Sequence, residues 1–164
     1  MHMPYARRLV AVLAATAALG LVAGCGGSDD GGGSTAGGGG DFVAAANTIC
    51  SAATDEFTAL GNTQQFESLD DFRTRFGKAL AIARQQYADI TALDPPADIA
   101  TDVETYLAEG GKSVALSQDL FDRVMAGEDL ADAEAATTGS AAGQVTISAR
   151  RGAALAAGLE ACAS

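Results

Sequence analysis

The chain has 164 residues, with 10 Lys and Arg against 21 Asp and Glu, which gives a formal net charge of −11. This acidic balance argues against a nucleic-acid partner, which requires basic patches, and against a polybasic contact with anionic lipid. The sequence has a single histidine, His2, and no tryptophan. Much of the common catalytic and soft-metal chemistry is therefore missing, and we expect neither a metal nor a cofactor.

The first 24 residues have the pattern of a signal peptide. Arg7 and Arg8 precede an apolar stretch, residues 9–22, whose 14 residues are too few for an ordinary membrane-spanning helix. An uncleaved membrane anchor is the alternative. The arginine pair is also a feature of twin-arginine export signals. Because the flanking residues match that signal poorly, we favour the general secretory route.

Residues 21–25, Leu-Val-Ala-Gly-Cys, resemble the lipobox of bacterial lipoproteins, in which a diacylglyceryl group is attached to the cysteine and the signal is cut before it. The resemblance implies that Cys25 is lipidated and that acyl chains such as palmitate anchor the protein to the extracytoplasmic face of the cell membrane. A cleaved signal without a lipid is the alternative. Without residues 1–24 the chain keeps 140 residues, 8 of them basic and 21 acidic, with a formal charge of −13.

A glycine-rich segment follows the lipobox. Residues 26–40 contain nine glycines, with Ser, Thr and Asp at most other positions. Such a segment cannot bury enough apolar surface to fold, and it would span roughly 20 Å as a flexible coil. We therefore predict a lipidated cysteine and a disordered tether over residues 25–40, followed by one folded domain over residues 41–164.

From residue 41 onward, apolar residues recur at three- and four-residue steps, the pattern of amphipathic helices. Asp41 is a candidate N-cap of the first helix, and Gly61 is its predicted end. Ser68, with Asp71 after it, predicts a capping-box start for the second helix, which ends before Pro95. The two apolar stripes are Phe42, Ala46, Ile49, Ala53, Phe57 and Leu60, and then Leu69, Phe72, Phe76, Ala79, Ala83, Tyr87 and Ile90.

Two further helices complete the predicted fold. The third begins at Ala97 or Asp98, and residues 126–129 end it and cap the next helix. The fourth helix runs from Leu130 to about Cys162. No segment alternates with a period of two residues, and short connectors favour antiparallel neighbours. We therefore expect an all-α fold, an antiparallel four-helix bundle.

Gly110 and Gly111 lie in the middle of the third predicted helix, where two glycines cost roughly 2 kcal/mol relative to alanine. Either a neighbouring element approaches closely at this point or the helix bends there. Gly110 falls on the same apolar stripe as Tyr106. We therefore expect Gly110 to be the inward contact and Gly111 to lie outside it.

Cys50 and Cys162 remain when Cys25 is lipidated, one near each end of the folded region. Outside the cytoplasm, two such cysteines most simply form a disulfide. The start of the first helix and the end of the fourth lie at the same end of an up-down-up-down bundle, which makes this pairing feasible. Two free thiols are the alternative.

Several short segments together are similar to a pattern found in small helical lipoproteins of high-GC Gram-positive bacteria. The residues that carry the similarity are Ile49 and Cys50, residues 93–97 (Leu-Asp-Pro-Pro-Ala), Tyr106, residues 126–128 (Ala-Gly-Glu) and residues 158–162 (Gly-Leu-Glu-Ala-Cys). The resemblance implies the helical fold, the disulfide and the location outside the cytoplasm. It implies no catalytic residues.

Motif-like residues elsewhere do not predict an enzyme. Residues 110–113 imitate the end of a phosphate-binding loop, but Tyr106 stands where that motif needs glycine, and no strand precedes it. Arg150 and Arg151 fit the negative end of the fourth helix dipole. No GxSxG, SxxK or HExxH sequence occurs, and a slender bundle offers little cleft for a catalytic carboxylate pair. The acidic residues at the start of the fourth helix fit its positive end and lack calcium-loop spacing: Glu128, Asp129, Asp132 and Glu134.

Tyr87 and Tyr106 flank the proline turn, where a tyrosine pair can line an apolar pocket, although core residues with surface hydroxyls are more common. We expect a non-enzymatic envelope lipoprotein, bound to the membrane through Cys25, that presents a helical interaction surface to another envelope component. The alternative is a bundle that binds a lipid or a small apolar ligand. A continuous cavity of roughly 300 Å³ favours that alternative, and a solid core with an exposed apolar patch favours the interaction surface.

Overall fold

The computed structural model describes residues 38–61 and 65–164, and the predicted signal peptide, Cys25 and most of the predicted tether lie outside this part of the chain. Over these residues the chain is helical, without a β-strand, so the predicted all-α class is confirmed. None of the described helices combines the length and the hydrophobicity that crossing a membrane requires. The elements are α1 (Gly38–Ala59), α2 (Leu69–Thr91), α3 (Ala100–Met125), α4 (Leu130–Ala136), α5 (Ala141–Ala156) and a 3₁₀ helix (Glu160–Ala163).

The first helix begins earlier than predicted. It starts at Gly38 instead of Asp41, so the last residues of the predicted tether are helical. An α-helix pairs each N–H with the carbonyl four residues before it, and the carbonyls of the glycines thus complete the first turn ahead of Phe42. At the other end, Gly61 adopts a positive φ of 77°, as the predicted helix end requires.

The second helix begins with the predicted cap. Ser68 Oγ accepts a hydrogen bond from the Asp71 N–H at 3.1 Å. The Asp71 carboxylate accepts the N–H of Glu67 at 3.0 Å and pairs with the Arg75 guanidinium at 2.5 Å. These bonds, that from Arg75 first, hold the pKa of Asp71 below its usual value. Side chains therefore accept hydrogen bonds from backbone N–H groups on both sides of the Ser68 cap.

The third helix begins at Ala100, two or three residues after the predicted start. The Ile99 N–H donates to the Pro96 carbonyl at 3.1 Å, so the residues between them form a turn that leads into the helix. After α3 the chain turns through Gly127 at a φ of 96°. Asp129 then caps α4, its carboxylate accepting the Ala131 N–H at 2.9 Å, as predicted.

The prediction of one continuous fourth helix is wrong, because that segment forms α4, α5 and the 3₁₀ helix. The first break is at Ser140, whose extended backbone and hydroxyl cap α5 by accepting the Gly143 N–H at 3.1 Å. The turn folds back so closely that a Cβ on Gly143 would lie 2.6 Å from the carbonyl oxygen of Thr137. The second break is at Gly158, with a φ of 73°.

The helices pack in an order that leaves one side open. α2 packs against α1 and α3, α5 packs against α3, and the 3₁₀ helix packs against α1. Tyr87 packs near Gly110 at one end of the α2–α3 pair and Phe72 near Phe121 at the other, so these two helices run antiparallel. No Cα atom of α1 lies within 8 Å of a Cα atom of α5. The 3₁₀ helix, which packs against both α1 and α5, therefore connects these two helices.

The buried side chains form two separate clusters, one toward each end of the bundle. The first joins α1, the end of α2, α3, the end of α5 and the 3₁₀ helix, and the second is largely aromatic and joins the start of α2, α3 and α4. The middle of α2 and α3 lies between them. The first cluster includes Phe42, Ala46, Cys50, Ile90, Val103, Tyr106, Ala154, Leu159 and Cys162, and the second includes Phe72, Leu120, Val124 and Ala133 with Phe66, Phe76 and Phe121 against them.

Candidate functional site

An open groove lies where α1 and α5 do not meet, and we call it the α1–α5 groove. It consists of two adjoining cavities of about 220 Å³ and 210 Å³, which share Phe57, Ala83, Tyr87 and Arg150. The larger cavity is otherwise lined by Phe76, Ala79, Leu80, Ser113, Val114, Ser117 and Ile147. The smaller is otherwise lined by Thr54, Gln86, Ala161, Cys162 and Ser164.

Small side chains on facing helices create the open space. Ala79 and Ala83 lie one turn apart on α2, and Ser113 and Ser117 lie one turn apart on α3. Residues four apart share a helix face, so each helix presents a strip of short side chains to the groove. No Cα atom of α1 lies within 8 Å of a Cα atom of α5, and the side chains that these two helices present to the space, Phe57, Ile147 and Arg150, line it without filling it. The groove is therefore bounded by large apolar residues but is not filled by them.

One wall of the groove depends on Gly110. A Cβ built on Gly110 would overlap Cε1 and Cζ of Tyr87 and would lie 2.9 Å from its Cδ1, whereas Gly111 faces open space. This confirms that Gly110 is the inward glycine. The close neighbour is a tyrosine ring rather than helix backbone. The missing side chain lets the Tyr87 ring lie flat against α3 and form part of the groove.

The two tyrosines have different roles. Tyr106 is fully buried, and its ring centre lies 5.6 Å from that of Tyr87. Its hydroxyl accepts a hydrogen bond from Gln86 Nε2 at 3.2 Å, so the expectation of a surface hydroxyl is wrong for this residue. Burial raises the pKa of Tyr106 well above its ordinary value, and the nearby charge of Arg150 lowers it by less. Tyr106 is thus a core residue, and Tyr87 lines the groove.

Cys50 and Cys162 are joined as a disulfide, with Cα atoms 5.1 Å apart, in the pairing that the sequence predicted. Both side chains are buried. The bond connects α1 to the 3₁₀ helix, and the Gln86 amide donates to Cys50 Sγ at 3.0 Å. It therefore holds together one end of the bundle, beside the smaller cavity, by linking α1 to the segment that follows α5.

Arg150 is the charged residue of the groove. Its Nη1 donates to the Cys162 carbonyl at 3.2 Å and its Nη2 to the Ser164 carbonyl at 3.1 Å. Within the described residues it forms no ion pair with an acidic side chain, and no Asp or Glu lines either cavity. The sequence analysis treated Arg150 only as a dipole partner. Arg150 lies four residues after Thr146 and three before Ala153, which are both buried. This helical spacing puts the three residues on one face of α5 and could have indicated the inward position of Arg150.

Other charged residues in or near the motifs of the sequence analysis form ion pairs on the helix surfaces. Lys112, in the sequence that imitates a phosphate loop, lies within α3 and pairs with Glu109 at 2.5 Å. Arg123 pairs with Asp119 at 3.1 Å and with Glu128 at 3.3 Å. Among the residues that the structure describes, no group of three or more His, Cys, Asp or Glu is placed to hold a metal ion.

Apart from the groove, α5 exposes large apolar side chains. Val145 is 68% exposed and Leu155 is 54% exposed, and Ile147 lies at the groove edge with 37% exposure.

No family model, curated protein or solved structure matches this chain. The candidate site is therefore defined by its geometry: an apolar groove, walled by four helices, with one arginine at its polar end.

Proposed function

We propose that this chain is a non-enzymatic lipoprotein, anchored through Cys25 to the extracytoplasmic face of the cell membrane, that binds a small apolar ligand in the α1–α5 groove. The anchor is inferred from residues 21–25 and the apolar stretch before them. The binding function is inferred from one observation: four helices line an open groove with apolar side chains and supply no acidic residue to it.

The chemistry of the groove suits a small ligand. Small-molecule sites are mostly apolar, carry a few convergent polar groups and begin at roughly 300 Å³. Each of the two cavities, at about 220 Å³ and 210 Å³, is smaller than that volume, and they adjoin through four shared lining residues. Phe57, Phe76, Leu80 and Val114 supply the apolar wall, and the polar groups lie toward Arg150. The ligand-binding proposal therefore rests on the lining of the groove rather than on the volume of either cavity.

The expected affinity is moderate. The larger cavity, about 220 Å³, has room for roughly seven water-sized groups at about 30 Å³ each. Burial of a hydrocarbon contributes about 0.8 kcal/mol per methylene, so a filled cavity gains about 5–6 kcal/mol before the costs of association are subtracted. We therefore expect a reversible ligand rather than a tightly held one.

The polar groups of the groove support the proposal of a non-enzymatic role. Its hydroxyls belong to Thr54, Tyr87, Ser113, Ser117 and Ser164, and no histidine, lysine or carboxylate lines the cavities to act as a base. Ser113 Oγ donates to the Glu109 carbonyl at 3.0 Å, a bond within its own helix. A nucleophile activated by an adjacent base is therefore absent from the lining.

Affinity capture from intact cells, with mass spectrometry of the co-purified lipids and small molecules, tests this proposal. Ala83→Leu places a larger side chain in both cavities, and Ala88→Leu adds the same bulk to the exposed side of α2. We expect a ligand on the native chain and on Ala88→Leu that is depleted on Ala83→Leu. Equal recovery from both variants, each with a native melting transition, would contradict binding in the groove.

A second candidate function is protein binding through α5. Among the described residues, three of the four exposed large apolar side chains lie on α5: Val145, Ile147 and Leu155. In the same capture experiment, a protein that is lost on Val145→Asp and retained on Ala83→Leu would support this function.

A further inference from the structure

We infer that the α1–α5 groove binds a single-chain amphiphile with an anionic headgroup, its head at Arg150 and its hydrocarbon chain directed toward Phe76. This inference depends on the proposed ligand-binding function and specifies the chemical class of the ligand. Its basis is the charge and the shape of the groove.

Charge distinguishes this groove from the rest of the molecule. The chain has a net charge of −11, and three other surface cavities contain acidic residues such as Glu56 and Asp71, with Arg75 in one and Lys78 in another. The α1–α5 groove contains no acidic residue and has Arg150 within it. Within this groove an anionic headgroup therefore meets an arginine and no Asp or Glu side chain. A cationic headgroup would meet a like charge there.

The guanidinium of Arg150 is positioned to bind a carboxylate. Its bonds to the carbonyls of Cys162 and Ser164, at 3.2 Å and 3.1 Å, hold it in place. Arginine carries five N–H donors in a planar fork, and these two bonds do not use all of them. Charge-assisted bonds from a fixed guanidinium to a carboxylate or phosphate are among the stronger hydrogen bonds in proteins.

Polarity changes along the groove in the way an amphiphile requires. Gln86 and Thr54 line only the smaller cavity, and Phe76, Leu80 and Val114 line only the larger one. Arg150 lines both, where the two cavities adjoin. The distance along α2 from Tyr87 to Phe76 is about 16 Å at 1.5 Å per residue. The larger cavity holds roughly seven water-sized groups, which suits one medium-length acyl chain.

Calorimetric titration with three probes of equal chain length tests the inference: decanoate, 1-decanol and decyltrimethylammonium. The protein is the full chain carrying Cys25→Ala, purified with its disulfide intact and without detergent, so that no attached lipid competes. We expect decanoate to bind about tenfold or more tightly than 1-decanol, because charge-assisted bonds stabilise only the carboxylate. Decyltrimethylammonium should bind most weakly.

Matched variants assign the preference to Arg150. Arg150→Gln should remove the advantage of decanoate over 1-decanol, and Arg150→Lys, which keeps the charge, should retain much of it. Arg151→Gln changes the neighbouring, exposed arginine and should bind like the parent chain. Because Arg150 also holds two backbone carbonyls, a thermal melt of each variant checks that it is folded. The Arg150→Lys result keeps the test decisive if Arg150→Gln unfolds.

The outcomes separate this inference from the proposed function. If decanoate and 1-decanol bind equally to the parent chain and both are lost on Ala83→Leu, the groove binds apolar ligands and the anionic headgroup is wrong. If none of the probes binds, and the chain forms a dimer that Ala83→Leu disrupts, a second copy of the chain is the occupant. That result would overturn both proposals.

Discussion

Gly110 and Tyr87 form a contact in which the absence of one side chain determines the position of another. We predict that Gly110→Ala destabilises the fold by about 1–3 kcal/mol, because the added methyl group overlaps the ring of Tyr87 and overpacks the site. Gly111→Ala meets open space and should be neutral or stabilising by up to about 1 kcal/mol, since alanine is the better helix former. Thermal melts of the two variants, with the disulfide intact, measure the difference.

Equal stabilisation by both substitutions would mean that the Tyr87 ring moves aside at little cost. Tyr106 argues against that result, because its buried ring lies 5.6 Å from the ring of Tyr87 on the other side. The same variants also test the groove. Displacement of Tyr87 by Gly110→Ala should weaken decanoate binding, whereas Gly111→Ala should leave it unchanged.

At the scale of the element, the turn between α4 and α5 sets where Arg150 lies. Ser140 caps α5, and its hydroxyl also donates to the Thr137 carbonyl at 2.6 Å. We predict that Ser140→Ala destabilises the fold by about 1 kcal/mol through loss of the N-cap. Ser148→Ala, at an exposed position within α5, is the matched control and should change the stability by less than about 0.5 kcal/mol.

This prediction distinguishes the broken segment from a continuous helix. In one long helix, Ser140 would be an interior residue, and alanine would be stabilising there because of its higher helix propensity. An increase in the melting temperature of Ser140→Ala would therefore contradict the turn. Chemical denaturation of the two serine variants measures this difference. The comparison requires that the free energy of unfolding depend on denaturant concentration with the same slope in both variants.

At the scale of the whole molecule, the disulfide closes almost the entire domain, since Cys50 and Cys162 are 112 residues apart. We predict that alkylation of the denatured, unreduced protein labels neither cysteine. In the chain-entropy account, a loop of about 100 residues contributes about 4.7 kcal/mol, so the double variant Cys50→Ala, Cys162→Ala should melt at a much lower temperature. Full labelling of both cysteines without reductant would contradict the pairing.

The disulfide also bears on the groove. It joins α1 to the 3₁₀ helix, and Arg150 is bonded to the carbonyls of that same segment. Reduction should therefore loosen the polar end of the groove before the aromatic cluster at the other end. The groove and the disulfide that closes the domain are therefore connected through the same C-terminal segment.

The proposed anchor is a property of the whole molecule as well. We predict that Cys25→Ala releases the protein from membranes or leaves an uncleaved precursor, because a diacylglyceryl group is the only stable attachment that the lipobox resemblance implies. Membrane fractionation and intact-mass measurement check this. A mature-length Cys25→Ala chain that still sediments with membranes would contradict the lipid anchor.

The helices were predictable from sequence because their causes are local. Apolar spacing along α2, the Ser68 cap and the positive φ of Gly61 act within a few residues of the chain. The fourth predicted helix failed for a related reason. Its first half has few large apolar residues, so the apolar stripe there is weak. The Ser140 cap and the close turn at Gly143 therefore interrupt the helix in that half.

What the sequence by itself determined is the helical class, most of the caps, the inward position of Gly110 and the pairing of Cys50 with Cys162. Only the tertiary structure decided the groove and the place of Arg150 within it. The reason is physical: a groove exists where two helices fail to meet, and the separation of α1 from α5 depends on all the contacts that hold each of them elsewhere. No periodicity within either helix records that distance.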